Sequence, residues 1–128
     1  MISLDTRDAP LFIVRWVGEF ESDGLDRYLR VHEGLLEAEA EHALLADISE
    51  ASIASAGTGE LIEFSGWMQS RSDALARFCR AVAVVVGNHQ LRDALARFGE
   101  LRPVDVRAKI FGKPIEAGDW LRPMFDGL

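Results

Sequence analysis

A run of seven residues without a polar side chain, 81–87 (AVAVVVG), constrains the fold most strongly. Strands of this kind are covered on both faces, which is typical of the interior of a parallel sheet. The run is too short to span a bilayer, because a membrane helix needs about 20 apolar residues. The sequence therefore predicts an inner strand of an α/β protein and no stable membrane insertion.

Three further segments have the composition of strands. Residues 11–17 are rich in β-branched and aromatic residues, and residues 43–48 form an apolar run that only Asp47 interrupts. Residues 103–111 alternate apolar and polar side chains, which predicts an exposed edge strand. Because an edge strand can pair with a second copy, a homodimer is left open.

Helical periodicity separates the predicted strands. Apolar side chains recur at steps of three and four residues in the first such segment, which we expect to end near Glu41. The second segment predicts one long helix or two short ones. The segments are 25–41, 60–77, 88–98 and 114–121. Alternating strands and helices predict an α/β fold in a single domain over residues 1–128, with about four mostly parallel strands and about four helices.

Charge and cysteine content narrow the possible function. The formal net charge is -7, which disfavours binding to nucleic acid because phosphate backbones would repel the protein. Cys79 is the single cysteine, so no internal disulfide can form and a reducing compartment fits. The first ten residues lack the apolar core of a signal peptide. We therefore expect a cytoplasmic protein.

Motifs for catalysis and metal binding are missing from the sequence. The three histidines are far apart, and no paired histidines or cysteines have metal-ligand spacing. Gly57-Thr58-Gly59 precedes a predicted helix but lacks the lysine of a phosphate-binding loop. We therefore predict no metal, no cofactor and no enzyme activity. The enzyme alternative would use Asp47 with His89 or Arg92.

Asp47 is the most informative polar residue of the predicted strands. It lies near the end of an apolar strand, and loops at the carboxyl ends of parallel strands line the usual binding crevice. The alternative is that its carboxylate caps the backbone of the loop that follows. Both interpretations are open from the sequence.

The segment around Asp47 resembles the STAS family, and the whole order of elements resembles its SpoIIAA-like (STAS/SEC14-like) branch. Asp47-Ile48-Ser49 is similar to the end of the family's signature strand. Ala54-Ser55-Ala56-Gly57 is similar to its switch loop, with Ser55 at the place of the phosphorylated serine. Alanine stands at position 54, where the family has an acidic residue, and the spacing from Asp47 is one residue short.

This resemblance implies a non-enzymatic regulatory module that binds a partner protein. Docking is expected through the loop at residues 49–59 and the helix that follows it. Phosphorylation there would add about -1.5 to -2 charges and could act as a switch. The binding or switch candidates are Asp47, Ser49, Ser52, Ser55, Gly57 and Thr58.

The alternative function is that of a carrier or sensor of a small apolar ligand or lipid. The resemblance implies this role too, since relatives in the SEC14-like branch hold lipids. A pocket between helices and sheet would then be lined by aromatic and sulfur-containing side chains. The candidates for a pocket or interface are Phe64, Trp67, Met68 and Trp120.

Overall fold

The structure is a computed structural model that describes residues 2–19, 22–52, 63, 66–87, 92–93 and 107–125. Its strands are β1 (Ile2–Asp5), β2 (Leu11–Glu19), β3 (His42–Ser52), β4 (Cys79–Val85) and β5 (Arg107–Phe111). Its helices are α1 (Ser22–Glu37), α2 (Ser72–Phe78) and α3 (Pro114–Leu121), followed by a 3-10 turn (Arg122–Phe125). Residues 66–70 are also helical.

The five strands form one sheet in the order β1-β2-β3-β4-β5. Strands β2 to β5 are parallel, and β1 pairs antiparallel with β2. The predicted α/β class and the mostly parallel sheet are confirmed, with β4 inside the sheet and β5 at its edge. Strand β1 was not predicted, because four residues at an edge give too short a pattern to recognise.

The sheet has a different helical cover on each face. Successive parallel strands are added in one direction, and right-handed crossovers then place α1 and α2 on the same face. The side chains on that face come from alternate residues such as Val14, Leu44 and Ala46, which cluster with Tyr28 of α1. The other face is covered by α3, whose apolar partners are Leu11, Ala43, Leu45, Ala81, Ala83, Val85 and Phe111.

Helix α1 presents the apolar face that the sequence predicted. Tyr28, His32 and Leu36 lie at helical spacing and are buried. The helix ends at Glu37, four residues before the predicted end. Its end follows from Glu39, which adopts a left-handed backbone with φ of 53°. A glycine usually marks such a helix end, and its absence here hid the signal.

The segment predicted as one long helix or two short ones is interrupted at Arg71. The helical residues 66–70 precede a turn at Arg71, and α2 begins at Ser72. The backbone N–H of Arg71 donates to the carbonyl oxygens of Trp67 and Met68 at 3.1 and 3.3 Å. None of the helices in the described residues is both long enough and apolar enough to cross a membrane.

The loop predicted to start at Ser49 starts later, which corrects the sequence prediction. Strand β3 continues to Ser52 because its last residues still pair with Val17, Gly18 and Glu19 of β2. The side chains of Ser49 and Glu50 therefore belong to a strand, not to a loop. Several predicted residues lie outside the described residues: Ser55, Gly57, Thr58, Phe64 and His89.

Candidate functional site

A β-bulge interrupts β3 directly after Asp47. Arg15 of β2 lies opposite Asp47, whereas Val17 lies opposite Glu50. Two residues of β3 therefore face one residue of β2, which gives β3 one extra residue. Bulges bend a strand and redirect its side chains, and they occur frequently beside functional sites.

The carboxylate of Asp47 holds this bulge in place. Its Oδ1 accepts a hydrogen bond from the backbone N–H of Ser49 at 3.1 Å and from the Ser49 hydroxyl at 2.6 Å. Asp47 lies opposite Val85, the last residue of β4, so the bulge also sits at the carboxyl edge of the sheet. The sequence left two interpretations of Asp47 open: a residue at the carboxyl edge of the sheet, or a cap for the backbone that follows. The two are compatible, because Asp47 lies at this edge and its carboxylate accepts hydrogen bonds from Ser49.

Arg15 supplies the opposite charge to Asp47. The Nε of Arg15 lies 3.5 Å from Asp47 Oδ2, and the Asp47 side chain is only 7% exposed. The Arg15 side chain is 58% exposed, so its cation faces solvent at the mouth of the site. Because a buried carboxylate needs a charge partner or hydrogen bonds, Arg15 and Ser49 together stabilise it. Arg92, which the enzyme alternative combined with Asp47, is exposed.

Gly87 completes the described part of this edge. A Cβ added at Gly87 would lie 2.9 Å from the carbonyl oxygen of Ser49, a distance that real Cβ atoms essentially never show. The chain after β4 therefore packs directly against the bulge of β3. Of the predicted switch residues, the structure places Asp47, Ser49 and Ser52 on one strand at this edge.

Among the described pocket candidates, Trp67 and Met68 lie apart from Trp120. Met68 is buried among Leu36, Leu75 and Cys79, with Trp67 packed against the same cluster. Trp120 instead contacts the ring of Phe111, with ring centroids 5.6 Å apart, on the α3 face of the sheet. The two groups of pocket candidates thus lie on opposite faces of the sheet.

Trp67 borders a surface groove of about 300 Å³. The indole Nε1–H of Trp67 donates to Glu33 Oε2 at 3.1 Å, and Glu33 Oε1 lies 2.9 Å from Arg71 Nε. The groove has charged walls, so it is unlike a lipid cavity. Its lining residues are Asp26, Leu29, Arg30, Glu33 and Trp67.

A second cluster of polar groups lies beneath this surface, and the sequence prediction missed it. One nitrogen of His32, one nitrogen of His42 and the sulfur of Cys79 all lie within 4.8 Å of one another. The three residues are 3%, 1% and 5% exposed and belong to α1, β3 and β4. Sequence spacing cannot reveal ligands from three separate elements. The available signal was that His42 and Cys79 begin neighbouring parallel strands, where they pair directly.

Burial keeps all three groups of this cluster uncharged. Desolvation, helped by the neighbouring His42, lowers the pKa of His32 to about 3. Desolvation also lowers the pKa of His42 and raises the pKa of the Cys79 thiol to about 12. At neutral pH the cluster therefore contains two neutral imidazoles and one thiol.

The hydrogen bonding of the cluster is incomplete. His42 Nδ1 lies 3.0 Å from the carbonyl oxygen of Ala40. A carbonyl oxygen can only accept, so Nδ1 carries the proton and Nε2 has a free lone pair. Among the described residues, His42 Nε2 and both nitrogens of His32 have no hydrogen-bond partner. An unsatisfied buried polar group costs about 1–3 kcal/mol, so the cluster is a candidate ligand site.

Comparisons with known proteins find similar structures but no matching sequence family. No protein-family model matches the chain, and no curated protein matches it. An uncharacterized Shewanella loihica PV-4 protein of the DUF3478 family, with a SpoIIAA-like fold, matches 94% of this chain and 92% of its own. Its TM-score is 0.63 at 16% identity.

Two anti-sigma factor antagonists also have similar structures. The unphosphorylated anti-sigma factor antagonist SpoIIAA matches 95% of this chain and 98% of its own, with a TM-score of 0.61 and 13% identity. An anti-sigma factor antagonist from Mycobacterium paratuberculosis matches 95% of this chain and 93% of its own, with a TM-score of 0.58 and 13% identity. This chain therefore has the SpoIIAA-like fold that its resemblance to STAS domains implied.

Proposed function

We propose that this protein is a non-enzymatic regulatory module that binds a partner protein through residues 49–59. The observation that carries the proposal is the fixed origin of this segment at the carboxyl edge of the sheet. Two anti-sigma factor antagonists share the fold, which supports a regulatory role although fold alone does not determine function.

The Asp47 bulge gives the docking segment a defined start. Ser49 is tied to Asp47 by two hydrogen bonds, and Gly87 packs against the Ser49 backbone. A partner therefore meets the first residues of the segment in one conformation, which lowers the entropy lost on binding. Arg15 and Glu50 are both exposed here and offer the partner one charge of each sign.

Phosphorylation of the segment is the proposed regulatory step. Ser52, Ser55 and Thr58 are the candidate acceptors, and one phosphate adds about -1.5 to -2 charges. The protein already carries a formal net charge of -7, so the added charge weakens docking to an acidic partner surface. Ser55 is the first choice because of its place in the motif that resembles the STAS switch loop.

The experiment compares partner recovery between phosphomimetic and control variants. Ser55→Asp should reduce recovery of a specific partner from native cell extract by about 10-fold or more, the loss expected when like charges face each other. Ser55→Ala should leave recovery unchanged. Thr6→Asp is the matched control, because Thr6 is exposed in the turn before β2 and lies at the amino end of that strand, away from Asp47.

Isothermal titration with the purified partner then separates docking from indirect effects. Asp47→Ala should weaken binding, because it frees the start of the docking segment. Equal affinity for the wild type, Ser55→Asp and Asp47→Ala would contradict docking at this edge. Intact-mass measurement of the native protein, with an 80 Da adduct expected from the phosphate group, tests the modification itself.

The carrier function has less support from the described residues. The groove beside Trp67 is lined by Asp26, Arg30 and Glu33, whose charges do not suit an apolar ligand. Native mass spectrometry of freshly purified protein tests this alternative directly. A copurifying lipid would favour the carrier over the docking module.

A further inference from the structure

We propose that His32, His42 and Cys79 form a buried binding site for one Cu(I) ion. The site lies between α1 and the amino ends of β3 and β4. It is separate from the Asp47 bulge, which lies farther along β3, beside the carboxyl end of β4. The inference is therefore independent of the proposed docking function.

The geometry of the three side chains is close to that of a three-coordinate site. Their ligand atoms all lie within 4.8 Å of one another. Bonds of about 2.0–2.3 Å in a trigonal arrangement place ligand atoms roughly 3.5–4 Å apart. Side-chain movements of about 1 Å therefore bring nitrogen and sulfur to bonding distance.

The hydrogen bonds around the cluster match those of metal-binding histidines. A ligating histidine usually donates its second ring N–H to a carboxylate or a backbone carbonyl, which directs the free lone pair at the metal. His42 has this arrangement, with Nδ1 3.0 Å from the Ala40 carbonyl oxygen and Nε2 unpartnered. His32, 97% buried, also has free ring nitrogens among the described residues.

The ligand set and its surroundings favour Cu(I) over Zn(II). A structural zinc ion takes four ligands, whereas in the described part of the chain three ligand atoms converge here. Thiolate is a soft ligand that suits Cu(I). Cu(I) with one thiolate and two neutral imidazoles carries no net charge, whereas Zn(II) would leave one positive charge in an apolar cluster. Met68 packs in the same cluster as Cys79 and adds a second sulfur-containing side chain.

Binding of Cu(I) to the cluster requires neither an oxidant nor a reductant. The S–H bond of Cys79 breaks, its proton goes to solvent, and a bond between sulfur and Cu(I) forms. The copper stays in the +1 state. The ring centroids of Trp67 and His32 are 5.1 Å apart, and Trp67 also lines the surface groove, so a movement of the Trp67 side chain would open a short entry path for the ion.

The first test uses the purified wild-type protein without oxygen. It is titrated with Cu(I) in competition with a chromogenic Cu(I) chelator, and X-ray absorption then determines the coordination of the bound ion. The expected result is one copper per chain, three-coordinate, with two nitrogen ligands and one sulfur ligand. A copper ion without a sulfur ligand, or no copper retained against the chelator, would overturn the assignment.

Variants identify the ligands. Cys79→Ser and His32→Gln should each weaken Cu(I) binding by about 100-fold or more, since even outer-shell changes cost about 10–100-fold. His89→Gln is the matched control, since it removes a histidine outside the proposed ligand set, and its affinity should equal that of the wild type. Circular dichroism checks that each variant is folded.

Two results from these variants would count against the site. Unchanged copper affinity in both Cys79→Ser and His32→Gln would exclude these residues as ligands. A preference for a four-coordinate Zn(II) complex, when both ions are offered together, would exclude Cu(I) as the ion the site takes.

Discussion

Gly87 and Ser49 are in such close contact that an added Cβ at Gly87 would lie 2.9 Å from the Ser49 carbonyl oxygen. Gly87→Ala must therefore shift either the chain after β4 or the bulge of β3. We expect the free energy of unfolding to fall by about 1–3 kcal/mol, as in other overpacked sites. Urea unfolding followed by circular dichroism measures the change.

Gly34→Ala is the matched control for this substitution. Gly34 lies inside α1, and a Cβ there would have nothing within 4 Å. Alanine is the better helix former, so this variant should be more stable than the wild type by about 0.5–1 kcal/mol. Equal effects of the two glycine substitutions would contradict the close contact at Gly87.

Asp47→Ala should destabilise the protein by removing the acceptor at the bulge. The N–H and the hydroxyl of Ser49 would both lose their partner, and an unsatisfied buried group costs about 1–3 kcal/mol. Asp119→Ala is the control, because its ion pair with Arg122 is exposed and should contribute less than about 1 kcal/mol. Thermal unfolding of the two variants decides whether the Asp47 contacts matter more than a surface charge.

Acid should destabilise the metal-free protein through His32. Burial lowers the pKa of His32 from 6.5 to about 3, so below pH 6.5 the unfolded chain binds a proton that the folded chain excludes. Stability is therefore complete above pH 6.5 and falls as the pH decreases towards 3, by up to about 1.4 kcal/mol per pH unit. His42, whose pKa is also lowered, acts in the same direction.

His32→Leu separates this effect from other acid titrations. Between pH 6.5 and 5, where carboxyl groups hardly titrate, the variant should lose less stability than the wild type. Urea unfolding at several pH values in the presence of a chelator gives the slope. An unchanged slope in the variant would show that His32 is solvated in the folded protein.

Cys79 should be almost unreactive in the folded, metal-free protein. Its thiol is 5% exposed, and burial raises its pKa to about 12. At pH 8 its thiolate fraction is about 1,000-fold below that of an unperturbed cysteine, so alkylation should slow by at least that factor. The measurement is the rate of iodoacetamide addition, followed by intact mass, with and without urea. Similar rates in both conditions would contradict the buried thiol.

Strand and helix periodicity predicted most of the sheet correctly, because the strand positions that face a helix, such as Val14 and Leu44, carry apolar side chains. The missed features have local causes. Strand β1 is short, and the end of α1 depends on a left-handed Glu39 that no glycine marks. The extension of β3 to Ser52 depends on pairing with β2, which no local pattern in residues 49–52 reveals.

The candidate sites were predictable to different degrees. Asp47 and Ser49 were recognised because their motif is contiguous in the sequence. The cluster of His32, His42 and Cys79 was not, since its members are brought together only when α1 packs on the sheet and His42 pairs with Cys79. Trp67 and Trp120 were placed in one pocket because the sequence did not reveal that their helices cover opposite faces of the sheet.

The crossover helices α1 and α2 lie on the same face of the sheet, and this arrangement has a consequence for folding during translation. Among the described helices, α3 is the one whose residues cluster with Leu45 and Ala83, and α3 is translated after all five described strands. Until Leu121 has left the ribosome, α3 cannot cover that face of the nascent sheet. A chaperone that binds exposed apolar surface would therefore bind this face, and it would do so before translation of α3 is complete.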